Sequence, residues 1–230
     1  MAGRGKTIAL CAALAVAFAC ASSASAQEPT VPTTILGGHL YPTPYGNTYV
    51  YGHVELPATV DQSGVANQTV QLYASAFPFT AWTPVATLTT DFGGYFSYHT
   101  SIAQNMSYRA IWQANPPVQS KDKLVKLPLK LSVKPSHRRV KRKGVVTFKG
   151  AARPGHPGAP VELQQANKNG YFVTFAKTVV STGNTFSVRT RLKRGGLFRV
   201  LFRGDGQFGV SASKPIRVTV ARKHRHKHKR

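Results

Sequence analysis

The C-terminal tail, Arg222–Arg230, alternates histidines with arginines and lysines. In an extended tail, His224, His226 and His228 would lie on one side and the intervening cations on the other. Neutral imidazoles at this spacing can bind a borderline metal such as zinc, nickel or copper. Their protonation below about pH 6.5 adds positive charge to the tail. The tail is therefore either a metal-binding segment or a solvated cationic segment, and the sequence favours the second.

Cationic side chains form two further clusters upstream of the tail. One is the segment His137–Lys143, which we expect in a loop. The other consists of arginines that alternate with buried-phase residues along two strands predicted at 185–192 and 197–203, and antiparallel pairing of those strands would place the guanidiniums on one sheet face. Like charges at such positions cost stability, which suggests an anionic partner. The alternative is a charged surface that serves only solubility. The predicted polyanion-binding residues are Arg138, Arg139, Lys141, Arg142, Lys143, Arg189, Arg191, Arg199, Arg203, Arg222, Lys223, Arg225, Lys227, Lys229 and Arg230.

Residues suited to catalysis are scarce. The whole chain has only 7 acidic residues, and they are spread along it. Acid–base catalysis needs two such groups brought together, and the sequence has no nucleophile elbow, metalloprotease helix or phosphate-binding glycine loop. His39, His53 and His99 could share a metal, but we interpret them as separate strand histidines. The sequence predicts a protein that is not an enzyme, with no catalytic residues and no cofactor.

Charge is divided unequally between the two halves of the chain. From Gln27 to Ser120, Arg109 is the only basic residue against four acidic ones, whereas Lys121–Arg230 holds 28 basic residues against three acidic ones. A field of that size attracts polyanions. The predicted partners are an anionic cell-wall polymer, an acidic polysaccharide or a phospholipid surface. Nucleic acid is less favoured, because the aromatic residues fall mostly in the buried phase rather than among the cations.

The N-terminus has the features of an export signal. Arg4 and Lys6 precede the apolar run Ile8–Ala19, and Ala24–Ala26 supplies small residues for cleavage. The alternatives are a retained membrane anchor and lipidation at Cys20. With residues 1–26 removed, the mature chain has no cysteine and no transmembrane helix. We therefore expect a secreted protein, extracellular or associated with the cell envelope. The sequence does not indicate an oligomeric state.

Beyond the signal, the apolar residues repeat every second position, which is typical of half-buried strands. Asn115–Ser120 contains two prolines and reads as a boundary between modules. After it, apolar residues alternate with lysines from Val125 to Val133, which predicts one edge strand with a lysine-lined outer face. The other predicted strands are 48–56, 68–75, 84–90, 94–100, 106–113, 145–150, 160–165, 171–180, 185–192, 197–203 and 216–220, with a short one at 34–40.

The predicted fold is all-β: two tandem Ig-like (fibronectin- or transthyretin-like) antiparallel β-sandwiches after a signal peptide. We divide the chain into a signal peptide (1–26), a partly ordered leader (27–47), a first sandwich (48–115, or from 34), a linker (116–123), a basic second sandwich (124–220) and a disordered tail (221–230). Each sandwich is large enough to fold without disulfides.

The two predicted sandwiches repeat each other at an offset of 90 residues. Trp82 matches Phe172, Phe96 matches Phe186, and the run 108–112 matches 198–202, with arginine in the second position of both. Aligned aromatic residues over several strands with almost no gaps indicate an internal repeat. The alternation predicts that the aromatic and aliphatic residues of these runs face the core, namely Tyr108, Ala110, Trp112, Phe198, Val200 and Phe202.

The first repeat resembles the bacterial Ig-like and carboxypeptidase-regulatory-like β-sandwich modules of exported proteins. The resemblance rests on Thr90–Phe96, a turn followed by a phenylalanine-bearing strand, and on the later Tyr108-Arg109-Ala110. The second repeat departs from the turn motif, with Ser181–Asn184 in its place. The resemblance implies a spacer, an adhesive unit or a carbohydrate-associated domain, with no catalytic residues.

Overall fold

The computed structural model describes residues 33–40, 46–55 and 64–221. The predicted signal peptide, about half of the predicted leader and the tail Arg222–Arg230 lie outside these ranges. All regular elements of the described residues are β-strands. They are β1 (Thr33–Leu40), β2 (Asn47–Glu55), β3 (Thr69–Ala76), β4 (Thr83–Thr89), β5 (Tyr95–Ser101), β6 (Met106–Trp112), β7 (Val118–Gln119), β8 (Lys123–Val125), β9 (Lys130–Pro135), β10 (Arg139–Val140), β11 (Gly144–Arg153), β12 (Pro160–Ala166), β13 (Phe172–Val179), β14 (Thr185–Leu192), β15 (Gly196–Phe202), β16 (Ser211–Ala212) and β17 (Ile216–Val220).

A search of the described residues for a helix long and apolar enough to cross a membrane found none.

The described residues between 33 and 125, which we call the N-terminal half, form two sheets. One has the strand order β1-β2-β5, and the other has the order β4-β3-β6-β7, with β8 also paired to β6. Residues 130–220, the C-terminal half, likewise form a sheet β14-β11-β9 and a sheet β10-β17-β15-β12-β13, with β16 paired to β15. Apart from the short parallel pair β10–β17, the strand pairs are antiparallel. The predicted all-β sandwich fold is confirmed.

The core of each half follows the predicted alternation. Tyr108, Ala110 and Trp112 on β6 are buried, as are the matching residues of β15, Phe198, Val200 and Phe202. A register shift in β3 between Leu72 and Tyr73 recurs in β12 between Leu163 and Gln164. The internal repeat is therefore present in the strand pairing as well as in the residues. All described residues from Thr33 onward belong to one compact unit, and the count of two domains stays a prediction.

The single strand predicted from Val125 to Val133 is wrong. The structure has two strands there: β8 pairs with β6 of the N-terminal half, and β9 pairs with β11 of the C-terminal half. Pro128 lies between them, and its missing N–H cannot contribute to a ladder. Both Leu127 and Leu129 are buried on either side of it. The segment 116–123, predicted as a linker, carries β7 and the first residue of β8.

Two aspartate side chains cap turns between strands. The Asp91 carboxylate accepts hydrogen bonds from the backbone N–H groups of Gly93 and Tyr95 at 2.8 and 2.9 Å. Asp205 accepts similarly from Gln207 and Phe208 at 2.9 and 2.8 Å. Such side-chain caps close tight turns. In the second repeat, Ser181 stands at the position that matches Asp91. Its Oγ accepts a hydrogen bond from the N–H of Thr185 at 3.4 Å.

Candidate polyanion-binding surface

The outer surface of the sheet β14-β11-β9 is cationic. Along β14, Phe186, Val188 and Leu192 are buried, whereas Arg189 and Arg191 are exposed. The same alternation along β11 and β9 leaves Lys149 and Lys134 exposed. Since alternate residues of a strand face opposite sides of its sheet, all four cations lie on the solvent side. We call Lys134, Lys149, Arg189 and Arg191 the basic face.

Strand register places two of these cations directly opposite each other. Lys149 of β11 pairs with Lys134 of β9, and both line a shallow groove of about 460 Å³ together with hydroxyl-bearing side chains such as Ser136 and Thr147. Directly opposite residues have Cβ atoms about 4.5–5.5 Å apart, so like charges there repel. An anion in the groove would relieve that repulsion.

The loop between β9 and β11 adds five exposed cations at one end of this sheet. The loop is fixed on two sides: β10 pairs with β17, and the N–H of Lys143 donates to the Leu192 carbonyl at 2.8 Å. Lys193 and Arg194 follow Leu192 directly and are exposed. We call this group the basic end; it consists of Arg138, Arg139, Lys141, Arg142, Lys143, Lys193 and Arg194.

The tail begins at the basic end. The N–H of Ala221, the last described residue, donates to the carbonyl of Val140 at 2.8 Å. The remaining predicted site residues, Arg222–Arg230 with His224, His226 and His228, lie outside the described residues. The described chain therefore ends beside the loop that holds Arg139 and Lys141.

The three carboxylates from Lys121 onward are held by Arg109, His156 and Arg203, away from the basic face. Arg109 donates to both oxygens of Asp122 at 2.7 and 2.9 Å. His156 Nε2 lies 2.6 Å from an oxygen of Asp205. Arg203 donates to both oxygens of Glu162 at 2.8 and 3.0 Å. No acidic side chain among the residues of β9, β11 and β14 is available to neutralise the basic face.

The predicted strip that joined the arginines of β14 and β15 on one sheet face is wrong. β14 pairs with β11, whereas β15 pairs with β12, β16 and β17 in the opposing sheet. The sandwich places consecutive strands 14 and 15 in different layers, which is a common connection in sandwiches. Arg189 and Arg191 therefore do not share a face with Arg199 and Arg203.

Arg199 and Arg203 are engaged within the protein. The Arg199 guanidinium lies 4.1 Å above the centre of the Phe172 ring, and its Nε donates to Gln164 at 2.9 Å. Arg203 forms the bidentate pair with Glu162. A planar guanidinium suits both contacts. Of the arginines predicted to bind polyanions along these strands, only Arg189 and Arg191 lie on the basic face.

Hydrogen bonds from neighbouring groups lower the pKa of two carboxyl groups. Hydrogen bonds from Arg203 and then from Thr174 lower the pKa of Glu162 from 4.5 to about 2. Burial works to raise the pKa of Asp205, but the hydrogen bonds from His156 and from the Phe208 and Gln207 backbone outweigh it and hold that pKa below 3.8. Hydrogen bonds to a carboxylate favour its charged form.

The three histidines of the N-terminal half lie on the three different strands of the sheet β1-β2-β5. Register places both His39 and His99 opposite Tyr49, and His53 opposite Tyr95. His53 Nε2 is 2.9 Å from the Gly93 carbonyl oxygen. In the ranges that the structure describes, no three histidine, cysteine or acidic side chains are placed to hold a metal.

Sequence reasoning left four residues of this surface out of the predicted site. Lys134 and Lys149 are separated by 15 positions and become neighbours only through the β9–β11 register. Lys193 and Arg194 lie in the turn after β14. A signal for Lys149 existed, because it is out of phase with the buried Val146 and Phe148.

Comparisons with known proteins give distant structural likenesses. No protein-family profile matches the chain, and no curated protein matches it. Among solved structures it is similar to a tetra-tandem repeat in the extending region of a large adhesion protein, with 13% identity, 82% of this chain and 49% of that chain covered, and a TM-score of 0.36. It is also similar to the Yersinia pseudotuberculosis adhesin InvE, with 10% identity, 81% of this chain and 58% of that chain covered, and a TM-score of 0.34. A third similar structure is dimeric latent PorU from Porphyromonas gingivalis, with 13% identity, 87% of this chain and 21% of that chain covered, and a TM-score of 0.35. The chain spans about half the length of the first two.

Proposed function

We propose that this chain is an exported, non-catalytic binding protein that attaches to anionic polymers through the basic face and the basic end. The observation that carries the proposal is the convergence of these two cationic groups on one side of the C-terminal half. The described carboxylates of that half are already paired elsewhere. A concentrated field of one sign raises the local concentration of oppositely charged partners.

The chemistry of the surface favours a flexible polyanion over a base-reading interface. Its cations are exposed, while the aromatic residues of the same strands, Phe148 and Phe186, are buried. Stacking platforms for unpaired bases need exposed aromatic rings among the cations. An anionic cell-wall polymer, an acidic polysaccharide or phospholipid headgroups fit better, and the N-terminal half would then serve as a spacer or an adhesive unit held at the envelope.

The test is retention on heparin and on purified anionic wall polymer as salt is raised. Each lost contact between a cation and a polymer anion lowers the slope of log affinity against log salt by about 1. The triple variant K149Q/R189Q/R191Q is therefore expected to lower the slope by about 3. The matched control K168Q/K177Q/K214Q removes the same charge from exposed sites off the basic face and is expected to change the slope by less than about 1. Equal slopes for the two variants, or retention that salt does not weaken, would refute the proposal.

A second candidate function is metal capture by the tail, and the alternating His224, His226 and His228 favour it. Calorimetry with zinc or nickel on the full chain and on a version that ends at Val220 separates the two functions. Metal capture requires the tail for heat release. Attachment through the basic face requires retention on heparin by the shortened version.

A further inference from the structure

The outermost strand of the larger C-terminal sheet, β13, has an unusual surface for an exposed edge. It pairs with β12 on one side, and in the described part of the chain no other strand pairs with it. Its side chains and the preceding residue include four exposed large hydrophobic groups. These are Tyr171, Val173, Phe175 and Val179, at 71, 46, 39 and 57% exposure. Exposed apolar edge strands are templates for pairing with another strand.

The matching edge in the first repeat is less apolar, although Val85, at the position that matches Phe175, is exposed as well. There β4 carries Pro84, which cannot donate to a ladder, and threonines stand at the positions that match Val173 and Val179, namely Thr83 and Thr89. Proline on an edge is a common device against pairing. The fold therefore tolerates a protected edge at this position, and the apolar β13 is not required by the sandwich itself.

The charge distribution indicates what can approach β13. Between Lys168 and Arg189 the chain has one charged residue, Lys177, although the surrounding half is strongly basic. Within the C-terminal half, a second copy of this cationic chain meets the least repulsion at this edge. An antiparallel pairing centred between Phe175 and Ala176 also places Lys177 opposite the partner's Thr174, so the two lysines do not face each other.

We propose that two copies of the chain associate through their β13 strands, which join the two larger C-terminal sheets into one continuous sheet across a two-fold axis. Such an interface uses the same patch on both copies. The contact covers the apolar edge, including Phe175, whose ring meets the core residue Phe198 at 6.0 Å between centroids. The proposal does not depend on the polyanion-binding function.

Salt is expected to strengthen this association, because it screens the repulsion between two strongly cationic chains. That dependence is opposite in sign to the polymer retention proposed above, so the two proposals can fail separately. Sedimentation velocity of the full chain, with its N-terminus as the producing cell leaves it, measures the dimer dissociation constant. Raising salt from about 0.15 M to about 1 M is expected to lower that constant by about tenfold.

The internal repeat supplies a matched pair of variants. V173K/V179K places two lysines on the β13 edge, and T83K/T89K places two lysines at the corresponding positions of β4. Both add the same net charge. The β13 variant is expected to raise the dissociation constant by at least about tenfold, and the β4 variant by no more than about twofold. A chain that stays monomeric at high salt, or an equal loss for both variants, overturns the proposal.

Hydrogen exchange of the unmodified chain provides a test that needs no substitution. If copies pair through β13, the outward amides of β13 become more protected as protein concentration rises, while those of β4 do not. β13 amides that exchange equally fast at every concentration would overturn the proposal even if V173K/V179K failed to fold. In that case the strand that pairs with β13 would come from a different protein.

Discussion

The two halves of the described chain differ in the charge of a side-chain pair at matching positions, which is neutral in one half and ionic in the other. In the N-terminal half, Gln113 Nε2 donates to Gln71 Oε1 at 3.3 Å. At the corresponding places in the C-terminal half, Arg203 donates to both oxygens of Glu162. Gln71 and Glu162 also occupy the same register, opposite Ile111 and Leu201. A neutral amide pair has therefore been replaced by an ion pair on an unchanged strand framework.

A second pair of contacts is common to both halves. Arg109 lies 4.0 Å above the Trp82 ring, and Arg199 lies 4.1 Å above the Phe172 ring. These residues match at the offset of 90. The arginine over an aromatic ring thus belongs to the shared sandwich, whereas the basic face has no counterpart in the first repeat: His99 and Ser101 stand where Arg189 and Arg191 do.

The largest expected effect comes from breaking the ion pair on one side. Glu162→Gln leaves Arg203 without its carboxylate and weakens a bond to a charged partner, so the free energy of unfolding is expected to fall by about 1–3 kcal/mol. Replacing both partners, E162Q/R203Q, recreates the amide pair of the first repeat and is expected to recover most of that loss. Urea denaturation of the two variants measures the difference. A double variant as unstable as E162Q would show that the halves are not equivalent at this place.

A smaller loss is expected from acid. The pKa of Glu162 is lowered to about 2 in the folded chain, so its contribution is complete above its ordinary pKa of 4.5 and is lost as pH falls through 2. Protonation does not change the size of the Glu162 carboxyl group or remove its oxygens. The loss in the free energy of unfolding should therefore not exceed that of E162Q. Unfolding free energies measured from about pH 5 to about pH 2 should fall more steeply for the unmodified chain than for E162Q/R203Q. Parallel curves would mean that another group dominates the acid response.

The repeat made much of this structure predictable. Period-two alternation and the 90-residue offset predict the strands and the buried residues Tyr108 and Phe198, because strand formation and burial depend on local pattern. The incorrect predictions concern features that depend on contacts between residues far apart in the sequence. Arg203 meets Glu162 from 41 positions away, and the layer that holds β14 depends on its pairing with β11. The exposed cations of the loop 138–143 and of β14 follow from local pattern, whereas the pairing of Lys149 with Lys134 depends on a cross-strand register that no local pattern contains.

The smallest expected effect tests the shared arginine contact. Phe172→Trp gives the second repeat the aromatic residue of the first, and since tryptophan is the best ring partner for a cation, stability should rise by about 0.5 kcal/mol. Trp82→Phe should lower it by a similar amount.

Both natural tryptophans, Trp82 and Trp112, lie in the N-terminal half, so Phe172→Trp also adds a fluorescent reporter to the other half. If its emission and that of the natural tryptophans change at the same urea concentration, the halves unfold together. If replacing Arg199 by lysine leaves the benefit of Phe172→Trp unchanged, the stacking of the guanidinium on the ring contributes nothing.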